Sequence, residues 1–284
     1  MTDSTHSARP GDPHGGAGEN LGTPPLRESL PASPEFADPS TSARWHLPSH
    51  LRLWLVAIAG VALDLGTKSW AFTSLDPDPN AANGIVIPNV MAFRRSLNPG
   101  ALFGLGKGWT PLFIFASVLA LGFVLFLFIH STRNRRSLHV ALGLVLAGAL
   151  GNLYDRAFVI ADVVKFTAAD GRQHTIAGTI VDQDERGIRI LEGQVDAEGP
   201  DADLEHARLI PPYVQPVVRQ QGVVRDFIKM EPRLGRFQVW PWVFNLADAF
   251  LVFGVGLLMI NFWWDRQAEK AQAALMPTAS EPAA

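Results

Sequence analysis

Four stretches of the chain, Leu51–Phe72, Trp109–Ile129, Leu138–Tyr154 and Val243–Trp264, are apolar over lengths that approach or reach those needed to span a membrane. Crossing about 30 Å of hydrocarbon takes roughly 20 helical residues. No water is available there to satisfy backbone N–H and C=O groups, so such segments must be helices that satisfy them internally. The second segment is uncharged throughout, the fourth carries only Asp248, and the third is short and ends at Asp155-Arg156. Trp54, Trp70, Trp109, Trp242, Trp263 and Trp264 fall towards segment ends, where an indole keeps its ring apolar and its N–H wet. The pattern predicts a mainly α membrane protein, a four-transmembrane-helix bundle.

Composition narrows the chemistry. The chain is 48% apolar and 18% charged, which leans towards the membrane class. A net charge of −3 without a long basic block gives no polyanion-binding signal, so nucleic acid is not an expected partner. The absence of cysteine excludes disulfides, thiolate nucleophiles, Cys-ligated zinc and iron–sulfur clusters. Any nucleophilic chemistry must use oxygen or nitrogen.

Residues 1–49 are rich in Pro, Gly, Ser, Thr and Asp and show no apolar period, which predicts a disordered tail. They lack the basic start and apolar run of a cleavable signal peptide, so the first hydrophobic segment is expected to remain as an anchor. The loop Ser131–Ser137 carries Arg133, Arg135 and Arg136, which places it, and with it both termini, in the cytoplasm. The opposite loop, 73–108, also holds Arg94, Arg95 and Lys107, so the charge bias is not clean. Loop 157–242 is long enough to escape the rule. In it, β-branched runs at Thr175–Val181 and Gly187–Leu191 flank Asp182-Gln183-Asp184-Glu185-Arg186 and read as a hairpin. Extracytoplasmic β-rich loops are expected, and a small extracytoplasmic β insert at about 165–218 is expected to interrupt a membrane domain spanning 50–265, with 266–284 as a cytoplasmic tail. No fixed-period repeat is present.

A charge within a spanning helix costs at least ~2.5 kcal/mol on insertion scales, so it usually faces a protein interior and serves a function. Asp64, Thr67 and Lys68 stand at i, i+3 and i+4 of the first segment, on one helical face; the bland alternative is an ion pair that snorkels to the interface. Asn152, Asp155 and Arg156 repeat that spacing at the end of the third segment, where a polar cap at the membrane surface is the alternative. Asn245 and Asp248 are one turn apart at the start of the fourth. A capping pair would account for them, but Asp248 is expected to lie beyond the first turn, where a cap does not need it. Asp226 interrupts the apolar run Gly222-Val223-Val224-Arg225-Asp226-Phe227-Ile228; alone it reads as a solvated strand-edge charge.

In order along the chain these clusters resemble lipoprotein signal peptidase, the signal peptidase II family. Asp64-Leu65-Gly66-Thr67-Lys68 is similar to D-x-x-(S/T)-K, and Asn98-Pro99-Gly100-Ala101-Leu102-Phe103 to N-x-G-A-x-F. Gly148-Ala149-Leu150-Gly151-Asn152-Leu153-Tyr154-Asp155-Arg156 is similar to G-G-A-x-G-N-x-x-D-R, with Ala149 replacing the second glycine, and Phe244-Asn245-Leu246-Ala247-Asp248 to F-N-x-A-D. The resemblance covers about residues 50–265, excluding the insert.

The resemblance implies an aspartic endopeptidase of the inner membrane. It would remove signal peptides from prolipoproteins by hydrolysis just before a diacylglyceryl-modified cysteine, without metal or cofactor. Its partners would be membrane lipids and lipidated precursors, with the site near the extracytoplasmic face; a monomer is expected. One member of the catalytic dyad carries over to Asp248. The other, in V-V-D-F, is assigned to Asp226 in Val-Val-Arg-Asp-Phe, with 157–221 as an insertion and Asp162 and Asp155 as rivals. Asn98, Gly100, Asn152, Arg156 and Asn245 would support the dyad or bind substrate, and Asp64 and Lys68 would be structural or substrate-positioning. Two other classes remain: a small transporter or channel using the intramembrane Asp, Asn and Arg, for which no repeated halves are found, and a non-enzymatic membrane scaffold. A presenilin-like protease is suggested only by Tyr154-Asp155, and its G-x-G-D partner is missing.

Overall fold

The computed structural model describes residues 41–75, 86–87, 90–100, 110–168, 171–194, 207–234, 237–240 and 242–275. Four helices are present among them: α1 (Leu47–Ser74), α2 (Thr110–Ile129), α3 (Arg136–Phe158) and α4 (Leu246–Leu275). Three of them, α1, α3 and α4, are long and apolar enough to cross a membrane, whereas the apolar stretch described in α2 is the shorter Ile114–Ile129. The protein is thus a mainly helical membrane protein with three candidate spans and β-sheets.

The apolar window of α3 is 67% buried, against 22% for those of α1 and α4. It is the inner helix, packed on α1, α2 and α4. Small residues permit this: a Cβ at Gly148 would collide with the Ala247 carbonyl and Leu251 of α4. Close backbone approach of this kind is how helices associate where lipid tails are as apolar as leucine. Leu53, Ala57, Val124, Phe128, Leu142 and Leu146 form the apolar core. Outward, Leu55, Ile58, Phe115, Phe123, Phe253 and Met259 are exposed, while Asp64, Lys68, Asn152, Asp155, Asn245 and Asp248 are buried. Apolar outside and polar inside is the distribution that lipid selects.

Eleven strands are present among the described residues. The first sheet has the order β1 (Val86–Ile87), β2 (Met91–Asn98), β8 (Val224–Met230), β11 (Val243–Phe244), and all its pairs are antiparallel. The second has the order β6 (Arg208–Ile210), β5 (Gly187–Glu192), β4 (Gln173–Asp184), β3 (Ile160–Thr167), β7 (Val217–Gly222). A short hairpin pairs β9 (Arg233–Leu234) with β10 (Phe237–Gln238). The second sheet extends over 160–222, wider than the insert read from β-branched runs alone. It leaves and rejoins the chain at one point, because Ile160 pairs with Gly222 and Val223 N donates to Val159 O at 3.0 Å. The sheet has its own core of Val164, Ile176, Ile188, Ile190 and Ile210, and shares a second with Leu97 of β2 and Val223.

Several expected boundaries move. Residues 41–49, assigned to the tail by composition, are ordered: Ala43–Trp45 form a 3-10 turn and α1 begins at Leu47. The cause is tertiary. Ala43 N donates to Ser131 O at 2.9 Å and Arg133 N to Thr41 O at 2.8 Å, tying this segment to the α2–α3 turn. Residues 266–275, also assigned to a tail, continue α4. That helix starts at Leu246 instead of Val243 because Val243 and Phe244 pair with Lys229 and Ile228 of β8. Residues 1–40, Ala101–Phe103 and Trp109 lie outside the described residues.

Candidate active site

The start of α4 is built on a reciprocal cap. Asp248 N donates to Asn245 Oδ1 at 3.0 Å, and Asn245 N donates to Asp248 Oδ2 at 3.3 Å. This satisfies two of the backbone donors that a helix N-terminus leaves open. The expectation that Asp248 lies beyond the first turn is therefore corrected: β11 consumes the residues before Asn245, so Asp248 falls within that turn. Asn245 and Asp248 are thus a capping pair.

Side-chain amides then link Asp248 to Asp226. Asn245 Nδ2 donates to Asp226 Oδ1 at 2.7 Å and to Asn152 Oδ1 at 3.1 Å. Asn152 Nδ2 donates to Asp248 Oδ1 at 2.8 Å, and Asn98 Nδ2 to Asp226 Oδ2 at 3.0 Å. Asp226 comes from β8, Asn98 from β2, Asn152 from α3, and Asn245 and Asp248 from the head of α4, so the site lies where the helix bundle meets the first sheet. The Asp226 side chain is buried, as is Asp248. Burial, and the Asp248 carboxylate beside it, push Asp226 well above the usual carboxylate range, against the opposing hydrogen bonds from Asn98 and Asn245.

Beneath the amides lies a buried ion cluster. Lys68 Nζ sits 2.8 Å from Asp64 and 3.2 Å from Asp155, and donates to Asn152 Oδ1 at 3.1 Å. Asp64 also accepts from Ala247 N at 2.8 Å, so α1 is tied to the first turn of α4. Lys68 and Asp64 have no exposed surface, which rules out snorkelling. Thr67 instead turns its hydroxyl to Leu63 O at 2.8 Å and is spent within α1. Gly151 makes room for the cluster, since a Cβ there would collide with Asp64 Oδ2. Both positions of the glycine-rich run that abut α4 or Asp64, Gly148 and Gly151, are glycine; the departure at Ala149 falls between them.

Arg156 donates to Asn152 O at 3.3 Å and to Gly100 O at 3.1 Å, and Gly100 N donates to Asn98 Oδ1 at 2.9 Å. The Asn98-Pro99-Gly100 turn is thereby fastened to α3. A cavity of about 240 Å³ opens beside Asp248, with Asn98, Trp240, Trp242, Phe244 and Phe253 among its walls. Its surface is aromatic and apolar except at Asp248 and Asn98, which suits a lipid-like or hydrophobic ligand.

The other two candidate aspartates, Asp155 and Asp162, have partners of their own. Asp155 is engaged by Arg225, through Nε at 3.1 Å and Nη2 at 2.7 Å. Asp162 lies on β3 and accepts from Ile180 N of β4 at 3.0 Å, within the second sheet. Arg225 was not among the sequence candidates. Its signal was a second charge inside an apolar run.

A family model described as signal peptidase (SPase) II matches residues 56–264. The chain belongs to the signal peptidase II family. Lipoprotein signal peptidase of Desulfitobacterium hafniense (strain DSM 10664 / DCB-2) is 29% identical over 185 residues, 65% of this chain and 77% of that one. The enzyme of Clostridium novyi (strain NT) is 35% identical, covering 37% and 68%, and that of Rhodococcus jostii (strain RHA1) is 40% identical, covering 43% and 60%. Membership of the signal peptidase II family makes the protein a membrane-embedded peptidase of the lipoprotein signal peptidase type, and neither a transporter nor a non-enzymatic scaffold is favoured.

Proposed function

We propose that Asp226 and Asp248 form the catalytic dyad of an endopeptidase that cuts prolipoproteins immediately before the diacylglyceryl-modified cysteine. The observation that carries this reading is Asn245, whose side chain bonds Asp226 and caps the helix that begins at Asp248. Two carboxylates held this way do not both ionise cheaply, so one keeps a proton and they titrate as a pair. Asp248 is the charged member: it accepts from Asn152 and from a backbone N–H at the positive end of a 30-residue helix. Asp226, pushed upward by burial and by Asp248, holds the proton.

Asp248 takes a proton from the attacking water while Asp226 donates a hydrogen bond to the scissile carbonyl oxygen. Collapse of the tetrahedral intermediate returns a proton to the leaving amine. The mechanism uses no metal and no covalent intermediate. Asn152 and Asn245 orient the dyad, and Asn98, Gly100 and Arg156 border the substrate path. The aromatic cavity beside Asp248 takes a hydrophobic part of the substrate.

The proposed topology has four spans, α2 being the second. Arg133 and Arg135 in the α2–α3 turn and Arg136 at the start of α3 support a cytoplasmic location for that turn and for both termini, in the inner membrane, with the dyad near the outer face. The protein acts as a monomer on a lipidated precursor. Incubation of the purified protein in detergent with a precursor bearing or lacking diacylglyceryl tests this reading. The expected result is release of a peptide ending just before the cysteine from the lipidated form alone; equal cleavage of both forms, or of neither, contradicts it.

A further inference from the structure

We propose that Arg225 is a positioning residue for the peptidase reaction: it holds Asp155 so that Lys68 keeps the Asn152 amide aimed at Asp248 while β8 keeps Asp226 against Asn245. The inference rests on the dyad reading above. Asp226 lies on a strand that the chain reaches only after the whole second sheet. β8 is seated by its ladder with β2, in which Ser96 pairs with Asp226 and Leu97 with Arg225, and by contacts with the helix bundle at its start. One is the bond from Val223 N to Val159 O, and another is the close seat of Gly222, where a Cβ would collide with Arg156 O. A third is the Asp155–Arg225 pair. Asp155 Oδ2 accepts from Arg225 N at 2.9 Å, and Oδ1 accepts from both Nε and Nη2. One carboxylate thus holds the backbone and the side chain of the residue next to Asp226. Both side-chain donors go to one carboxylate oxygen, so what the side chain adds to the backbone bond is chiefly its charge.

The same carboxylate shares Lys68 with Asp64 and Asn152. Two acids and two bases balance in this buried cluster, and the charges around the dyad come from α1 (Asp64, Lys68), α3 (Asp155, Arg156) and β8 (Arg225), with Arg94 and Arg95 further along β2. Without the guanidinium, Asp155 keeps only Lys68 and the backbone N–H of residue 225, and draws the ammonium away from Asn152 Oδ1. Asn152 then loses a donor that fixes its amide, and a flipped amide would present oxygen instead of nitrogen to Asp248. The lost cation also leaves the dyad in a more negative surrounding. Both effects fall on the chemical step and its protonation, not on substrate capture.

The experiment measures kcat, KM and the pH profile of Arg225→Met and Arg225→Lys on a lipidated precursor, with melting of each protein in detergent. For Arg225→Met, kcat is expected to fall about tenfold or more with KM within about twofold, and the acid limb to move to higher pH. Arg225→Lys restores the charge, and is expected to recover most of the kcat and the original limb. Unchanged kcat in Arg225→Met, a loss confined to KM, or a loss that lysine leaves unrelieved with an unmoved acid limb each overturns the proposal. If Arg225→Met does not melt as a folded protein, Arg225→Lys decides: kcat within about fivefold of wild type with the same limb supports it, and a larger fall overturns it. A wild type that cleaves nothing overturns the dyad reading itself.

Discussion

Asn245 and Asp226, separated by 19 residues and carried on different elements, meet through a 2.7 Å hydrogen bond from the amide nitrogen to the carboxylate. The amide oxygen of the same asparagine caps α4 by accepting from Asp248 N. One side chain therefore joins helix initiation to the placement of two acids.

Those two duties separate by substitution. In Asn245→Ser the hydroxyl can still cap the helix but cannot reach Asp226, whereas Asn245→Ala removes both. Both variants are expected to lose about 10²-fold in kcat. Only the alanine should add the roughly 1 kcal/mol destabilisation of a lost cap. Cleavage kinetics and melting of the two variants in detergent check this.

Asp226 makes stability depend on pH. Its carboxyl is raised above its ordinary value by burial and by Asp248, so the contribution of the protonated group is fully present below the unfolded carboxylate range and is lost as pH rises through the folded value. Wild type should lose melting temperature over that rise. Asp226→Asn, which cannot ionise, should melt at or above wild type, with the gap widening towards alkaline pH. Parallel melting curves at every pH would contradict the assignment.

Glycine positions on α1 and α3 divide by what faces them. A methyl at Gly151 meets Asp64 Oδ2, and Asp64 cannot yield cheaply because Lys68 and Ala247 N hold it. Gly151→Ala should destabilise by roughly 1–3 kcal/mol and lower activity with it. A Cβ at Gly66 meets nothing within 4 Å, so Gly66→Ala should be neutral or stabilise by up to about 1 kcal/mol. Thermal melting of both proteins distinguishes the sites.

Much of this was legible from residue order. Apolar length and the cost of buried charge pointed to the membrane helices and to Asp64, Lys68, Asn152, Asp155 and Asp248, because those costs act within one element. What depended on contacts between distant elements was not legible. Residues 41–49 have the composition of a tail, yet backbone pairing with the α2–α3 turn orders them. Val243-Phe244 is apolar enough to begin a helix, yet pairs with β8 and so brings Asp248 into the first turn of α4. Arg225 is, in sequence, only a charge within an apolar run; its partner Asp155 lies 70 residues away on α3. Asp162 adjoins its valine pair in sequence, but its carboxylate serves the β3–β4 ladder.

Cleavage of a lipidated precursor by wild type, Asp226→Asn, Asp248→Asn and Asp162→Asn, each shown folded by melting, bears most directly on the dyad. Asp226→Asn and Asp248→Asn should each lose at least about 10³-fold in kcat, while Asp162→Asn stays within about threefold of wild type. Retained cleavage by Asp226→Asn and Asp248→Asn, or loss confined to Asp162→Asn, would contradict it.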